Sequence, residues 1–252
     1  MTSLGFIGTG HLAAFFVASL SRAAAPYAIT VSPRNADVAE DLRARFGVAI
    51  APDNQAVLDS CDVIVASVLP QQARAVLAPL KFRSDQTVLS VMAGIGLAAI
   101  GELVSPATAT VAMMPGHANA YGIGPSVLYP DNPAARALLR HLGPVHVYDN
   151  EAAYTAASVL GAFSGMSFLL MKQAIGWFAA NGLAAADARA LVAEVVAGNA
   201  AVLRDDPLAL DEITGGVATP GGITEQGWRL AEEGRGWPAA FDAVLRRLSQ
   251  ST

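Results

Sequence analysis

Leu4-Gly5-Phe6-Ile7-Gly8-Thr9-Gly10-His11-Leu12-Ala13 sets an apolar run before two glycines one residue apart, with an alanine three residues after the second. This is the G-x-G-x-x-A form of a dinucleotide fingerprint, placed where a strand turns into a helix. Gly8 permits the tight turn, and Gly10, lacking a Cβ, lets the backbone approach a pyrophosphate. The small Ala13 lets the helix pack closely on the strand. Amides between Gly8 and Leu12, those of Thr9, Gly10 and His11 included, then face the phosphates. The apolar run at 12–20 supplies the helix that the motif requires.

Composition narrows the rest. The 252 residues are 53% hydrophobic and 15% charged, with a net charge of −5, which argues against a nucleic-acid partner. Lysine occurs only at Lys81 and Lys172, so arginine carries nearly all the positive charge. The lone Cys61 excludes an internal disulfide and suits a reducing compartment. Its place before an apolar strand marks a buried thiol rather than a nucleophile. The 12–20 run followed by Ala23-Ala24-Ala25 imitates a signal peptide, yet no positive residue precedes it. The uncharged run at 152–171 is long enough for a membrane span but is diluted with Tyr, Thr, Ser and Gly. A buried helix at a subunit or domain interface fits it better, and a soluble cytoplasmic protein with no membrane partner is expected.

Past the first helix, residues 27–32 alternate as a second strand ending in Ser32-Pro33-Arg34-Asn35. Roughly twenty residues beyond the fingerprint, an NAD-binding chain carries Asp or Glu for the ribose 2′-hydroxyl. Here Ser32, Arg34 and Asn35 stand instead, a set suited to a 2′-phosphate, so NADP is expected ahead of NAD. Helices are expected at 37–46, 54–60, 71–80, 97–104 and 133–142. Strands are expected at 48–51, 62–69, 87–92, 108–113, 124–129 and 145–148. This alternation predicts an α/β domain with a doubly wound, mostly parallel sheet over residues 1–150. Ligands of such a sheet lie at the carboxyl ends of its strands. Leu69-Pro70, Ala93-Gly94 and Pro115-Gly116-His117 fall there.

From Glu151 onward the alternation stops. Alanine-rich helices are expected at 152–181, 184–205, 225–233 and 237–249, making a smaller all-α domain over 151–252. A glycine-rich stretch at 213–224 is expected to be a loop. Its end, Pro220-Gly221-Gly222-Ile223-Thr224, opens a helix with Glu225 in the first turn. Free amides at such a helix start suit an anion, and a substrate carboxylate is the expected one. No His, Cys, Asp or Glu cluster has the spacing of metal ligands.

These pieces, in order, resemble the pyrroline-5-carboxylate reductase family over nearly the whole chain. They are the fingerprint, the turn at 32–34, Asn54, Leu69-Pro70-Gln71, residues 90–94, Met114-Pro115 and Ala218-Thr219-Pro220-Gly221-Gly222-Ile223-Thr224. The last is similar to that family's S-P-G-G-x-T loop and is followed by a Glu232-Glu233-Gly234 turn. The resemblance implies a Rossmann-type domain, a helical dimerisation domain that interlocks with a partner's, and NAD(P)H-dependent reduction of a cyclic imine. The family reaction converts 1-pyrroline-5-carboxylate to proline, a step of proline biosynthesis. Carried over, Pro220 to Ile223 hold the substrate carboxylate and Thr224 hydrogen-bonds the imine nitrogen. Ser32, Arg34 and Asn54 lie along the adenosine end, and Leu69-Pro70 and Met114-Pro115 flank the nicotinamide.

The chain departs from the family at three places. Leu69-Pro70 replaces Lys-Pro, Gly116-His117 follows Met114-Pro115 in place of Asn-Thr, and 160–165 reads Leu-Gly-Ala-Phe-Ser-Gly in place of a Ser-Gly-Ser-Gly-Pro turn. His117, after a strand and beside the expected nicotinamide, is a candidate proton donor, or a hydrogen-bonded loop histidine. Two other readings stand beside imine reduction. One is a 3-hydroxyacid dehydrogenase-like reductase, whose G-x-x-x-K setting Lys172 fails to match, since it lies seven residues past Gly165. The other is a catalytically silent NADP-binding protein on the same scaffold.

Overall fold

The computed structural model describes residues 1–234 and Gly236, so the helix expected at 237–249 lies outside the described residues. The chain divides into two compact units between Ser164 and Gly165. In chain order the first contains β1 (Thr2–Ile7), α1 (His11–Arg22), β2 (Tyr27–Val31), α2 (Ala36–Phe46), β3 (Ala49–Ile50), α3 (Asn54–Ser60), β4 (Val63–Ala66), α4 (Ala73–Leu77) and β5 (Thr87–Ser90). It continues with α5 (Leu97–Val104), β6 (Thr108–Met113), α6 (His117–Ala120), β7 (Ser126–Tyr129), α7 (Pro133–Arg140), β8 (Val145–Val147) and α8 (Glu151–Ala157).

The strands form one sheet in the order β3-β2-β1-β4-β5-β6-β7-β8. All pairings are parallel except β6 with β7. The apolar opening run is therefore an inner strand. Leu4, Phe6 and Ile7 are fully buried. A Cβ on Gly5 would stand 2.6 Å from a Val57 methyl, so this glycine admits α3 against the strand.

Each face of the sheet has its own core. On one, Phe6, Phe16, Leu20, Leu42, Leu138 and Leu139 join α1, α2 and α7 to the strands. On the other, Val57, Leu58, Leu77, Ile100 and Val104 bring in α3, α4 and α5. Phe6 and Phe16 meet edge to face at 5.6 Å, a contact worth about 0.5–1.5 kcal/mol beyond its burial. The predicted α/β, doubly wound, mostly parallel architecture is thus the observed one.

Because β1 to β6 run parallel, their carboxyl ends share one edge of the sheet. Along it, in sheet order, stand the segments after β3, β2, β1, β4, β5 and β6. Asn54, Arg34, Gly8, Leu69, Ala93 and Met114 lie in or next to these six segments.

The second unit is helical. α9 (Leu160–Ala180) crosses the boundary between the units and is followed by α10 (Ala185–Asp205), α11 (Leu210–Val217) and α12 (Ile223–Glu232). Gly182, at φ +99°, turns the chain between α9 and α10. The stretch Glu151–Ala180 is long and apolar enough to cross a membrane by length and composition. Its apolar side chains are open here: Met166, Phe168 and Leu169 are more than half exposed.

Several local expectations differ. The helix expected at 152–181 is two, broken at Ser158-Val159, where Ser158 Oγ donates to the Tyr154 carbonyl. The strand expected at 62–69 ends at Ala66. The helix expected at 71–80 is a 3-10 turn at Pro70–Gln72 leading into the short α4. Part of the stretch expected as loop at 213–224 is α11, although Gly215 and Gly216 lie inside it. Two glycines cost a helix roughly 1 kcal/mol each relative to alanine. Here the Glu212 carboxylate accepts the Ala209 amide at 3.0 Å, and Leu210, Ile213 and Val217 face a common apolar cavity. The four-residue α6 was not expected at all.

Candidate functional site

The glycine turn is braced from three sides. Gly8 has φ +97°, and a Cβ there would stand 2.7 Å from the Ser67 carbonyl oxygen. Its amide donates to Ser32 Oγ at 3.0 Å, while Ser67 Oγ donates to its carbonyl at 2.6 Å. Thr9 Oγ1 donates to the Ser32 carbonyl at 2.6 Å. Gly10, the N-cap of α1, is different: its φ is −110° and a Cβ on it would meet nothing within 4 Å. The space beside Gly10, at the start of a twelve-residue helix, is what a pyrophosphate needs. The turn therefore fits a dinucleotide on geometry as well as on pattern.

Ser32 requires a correction. Its side chain is fully buried and bonded to the glycine turn, so it braces Gly8 and Thr9 from beneath and does not reach a 2′-phosphate. The neighbouring groups do face outward. Arg34 and Asn35 are exposed, and Arg34 Nη1 donates to Gln72 Oε1 at 3.0 Å, tying the turn after β2 to the turn after β4. No acid lies within 32–35 to oppose Arg34.

The other expected cofactor contacts fall along the same edge with differing access. Asn54 is half-buried at the first position of α3, beside the N-cap Asp53, whose carboxylate accepts the Ala56 amide at 2.8 Å. Leu69 is 56% exposed, unusual for leucine, and precedes the turn that begins at Pro70. Ala93 is exposed, and His11 lies exposed at the start of α1 with Leu12 half-buried behind it. Met114 departs from expectation: its side chain is 6% exposed and belongs to the core, so only its backbone faces the edge, with half-buried Pro115 following.

His117 also departs. Gly116 at φ +95° turns the chain so that His117 heads α6 rather than sitting in a loop. Its imidazole packs on Phe15 of α1, ring centroids 4.8 Å apart. Asn119, fully buried, sets this turn by accepting the Gly116 amide at 3.0 Å and donating to the Gly124 carbonyl at 2.8 Å. Tyr154, stacked on Tyr129, has its phenol pushed above the ordinary tyrosine value by burial and is no base near neutrality.

In the second unit the turn at 219–222 closes with the Gly222 amide donating to the Thr219 carbonyl at 2.8 Å. A Cβ on Gly222 would stand 2.7 Å from that oxygen, and Gly221 has φ +72°, so both glycines are required. Gly222 is the N-cap of α12, and Ile223, Thr224 and Glu225 form its first turn. Glu225 Oε2 accepts the Gly221 amide at 2.6 Å, a carboxylate already resting on this turn. Pro220 is exposed, and exposed Thr224 borders a cavity of about 390 Å³ shared with Thr214, Leu203, Ile213, Val217 and Trp228. Among the described residues no three His, Cys, Asp or Glu side chains group as metal ligands.

Comparison with known proteins agrees with both halves. Residues 3–94 match the family of NADP oxidoreductases that are coenzyme F420-dependent, and residues 151–252 match the pyrroline-5-carboxylate reductase dimerisation family. A pyrroline-5-carboxylate reductase of Methanosarcina acetivorans is 26% identical, across 98% of this chain and 96% of its own length. Over nearly its whole length the chain is similar to pyrroline-5-carboxylate reductases. Two solved structures share the fold. The 1-pyrroline-5-carboxylate reductase of Streptococcus pyogenes has a TM-score of 0.81 at 20% identity, covering 98% of this chain and 97% of that one. The pyrroline carboxylate reductase of Plasmodium falciparum, solved with NADP bound, has 0.82 at 18% identity, covering 100% and 98%. The dimerisation match points to self-association of this chain.

The sequence reading missed the supporting residues. Ser67 and Gln72 act only through partners distant in sequence, and nothing local marks them. Glu225 was visible as an acid in a first helical turn, but not as a carboxylate on the Gly221 amide.

Proposed function

We propose that this chain is an NADPH-dependent oxidoreductase that reduces 1-pyrroline-5-carboxylate to proline, working in the cytoplasm as a homodimer formed through the helical unit. The observation that carries the reading is the Pro220-Gly221-Gly222-Ile223-Thr224 turn. It opens α12 and sets Thr224 on the wall of a cavity, in a chain whose other unit has a glycine turn open at Gly10. The family match across both units and the names of the relatives support it. The reading assigns residues 1–150 to the cofactor and 151–252 to dimerisation and the substrate.

NADPH, when bound, supplies the hydride for the C=N carbon. The amides of Gly8 to Leu12 hold the pyrophosphate at the positive end of α1. Arg34, with Asn35 beside it, pairs with the 2′-phosphate. Asn54 lines the adenosine end. Leu69-Pro70, Ala93 and the Met114-Pro115 backbone shape the nicotinamide end and exclude water. With the Gly221 amide on Glu225 and the Gly222 amide on the Thr219 carbonyl, the amides of the first turn of α12 bind the substrate carboxylate, and Thr224 holds the imine nitrogen by a hydrogen bond. An iminium nitrogen already bears its proton, so hydride addition gives the neutral amine without a strong acid in the protein. His117 is held in reserve as a proton donor, and its packing on Phe15 favours a structural role. The apolar flank of α9, carrying Met166, Phe168 and Leu169, is the surface a second copy covers in this reading, in place of a membrane.

The experiment is steady-state NADPH oxidation against cyclic imines, with and without a carboxylate beside the nitrogen, and against keto acids. Fastest turnover of 1-pyrroline-5-carboxylate is expected. Turnover of keto acids in its place indicates the 3-hydroxyacid dehydrogenase-like reductase, and no turnover of any compound, with NADPH still bound, the silent binding protein.

A further inference from the structure

The first unit contains a second hollow, outside the nucleotide edge. It measures about 290 Å³ and lies among α1, α2 and α6. Neither Gly8, Gly10, Arg34, Asn54 nor Leu69 lines it. Its walls are three rings, Phe15, Phe46 and Tyr121, each carrying a nitrogen group. The Arg22 guanidinium carbon stands 5.3 Å from the Tyr121 ring centroid, and that of Arg45 stands 4.8 Å from the Phe46 centroid. The His117 imidazole packs on Phe15. Small side chains, Ala18 and Ala120 among them, leave the space between the rings.

The charge is one-sided. In a chain with a net charge of −5, no Asp or Glu lines this hollow. Arg45 pairs with Asp41 of its own helix at 2.9 Å, but among the described residues Arg22 has no acidic partner. A guanidinium stacked over a ring keeps its in-plane N–H groups free for an anion, and it binds a carboxylate through two parallel hydrogen bonds. The volume lies at the lower end of ligand pockets, so the occupant is small. Aromatic walls favour a planar body, and the cationic rim favours a negative substituent.

We propose that this hollow is a binding site for a single-ring aromatic carboxylate, its ring between Phe15, Phe46 and Tyr121 and its carboxylate shared by Arg22 and Arg45. Of the residues assigned to the cofactor and substrate above, His117 alone also lines this hollow, and the proposal does not depend on the reaction assigned there.

The test is calorimetric titration of the full chain with benzoate, with benzamide and inorganic phosphate as comparison probes. Benzoate is expected to bind with one site per chain, and both comparison probes about tenfold or more weaker, because each lacks either the charge or the ring. Arg22→Gln and Arg45→Gln are each expected to weaken benzoate about fivefold, as loss of one charge-assisted contact does. Ala18→Leu, checked for an unchanged melting transition, is expected to abolish binding by filling the space. Saturating NADPH is expected to leave the benzoate affinity unchanged. No benzoate binding overturns the proposal, as does binding that the two arginine variants leave untouched. Displacement by NADPH would put the ring in the nucleotide crevice instead and also overturns it. Phosphate binding as tight as benzoate would overturn the aromatic part.

Discussion

Ser32 Oγ accepts the Gly8 amide at 3.0 Å, and this bond fixes the end of β2 to the turn after β1. A residue whose position suggested a cofactor contact instead supports the glycine turn assigned to the cofactor. Ser32→Ala leaves the Gly8 amide without its buried acceptor, while Thr9 Oγ1 keeps the Ser32 carbonyl. The expected cost is about 1–3 kcal/mol of stability, read by chemical denaturation. The NADPH-to-NADH affinity ratio is expected to stay as in wild type, and a changed ratio would return Ser32 to the phosphate.

Arg34 is the complementary case. Exposed and, among the described residues, paired with the neutral Gln72 alone, it is available to a 2′-phosphate. Arg34→Ala is expected to weaken NADPH about tenfold or more, the equivalent of a charge-assisted pair, while NADH affinity and the melting transition hold. Fluorescence titration of both cofactors reads this directly. Equal losses for the two would remove the NADP assignment.

The two glycines of the fingerprint are expected to fail differently. Gly8→Ala forces a Cβ to 2.7 Å from the Ser67 carbonyl at φ +97°, so the protein should lose stability or not fold. Gly10→Ala meets open space at an ordinary φ, so it should fold as wild type yet lose NADPH affinity, because its methyl enters the pyrophosphate space. Melting curves alongside cofactor titration separate them. A Gly10→Ala variant with full affinity would show that no phosphate approaches there.

Much of the first unit was legible because its physics is local. Alternating strands, amphipathic helices and the glycine turn each leave a pattern within a few residues. What was not legible depends on partners far along the chain. The short α6 exists because Asn119 bonds Gly116 and Gly124, not because four residues favour a helix. Ser32 faces inward because the Gly8 amide and the Thr9 hydroxyl bond to it. The Gly215-Gly216 pair looked like a loop on propensity, yet it lies inside α11, whose first turn is closed by the Glu212 carboxylate on the Ala209 amide. At the second site, the turn at Pro220 to Thr224 could be read as a motif, but the Glu225 carboxylate on the Gly221 amide could not.

Self-association has its own test. Phe168 and Leu169 are 56% and 55% exposed on α9 in the single chain, a surface that soluble monomers avoid when it is continuous. Sedimentation is expected to show a dimer at micromolar concentration, and Phe168→Glu to shift it toward monomer with loss of turnover. A wild-type monomer would contradict the assignment of this face.

Thr224→Ala removes the hydroxyl assigned to the imine nitrogen. Turnover of 1-pyrroline-5-carboxylate is expected to fall roughly ten- to a thousandfold, with NADPH binding and folding unchanged. His117→Ala is the control, expected to act mainly through lost packing on Phe15. A larger loss there than at Thr224 would move the proton-donating role to His117.

The most direct test of the central claim follows the hydride itself. Purified protein is given 1-pyrroline-5-carboxylate and NADPH carrying deuterium at the transferred position of the nicotinamide, and the product is analysed by NMR and mass spectrometry. The account predicts proline with the deuterium at C5, the former imine carbon, formed in step with NADPH oxidation. Proline without the label, or NADPH left unoxidised with the imine intact, would contradict it.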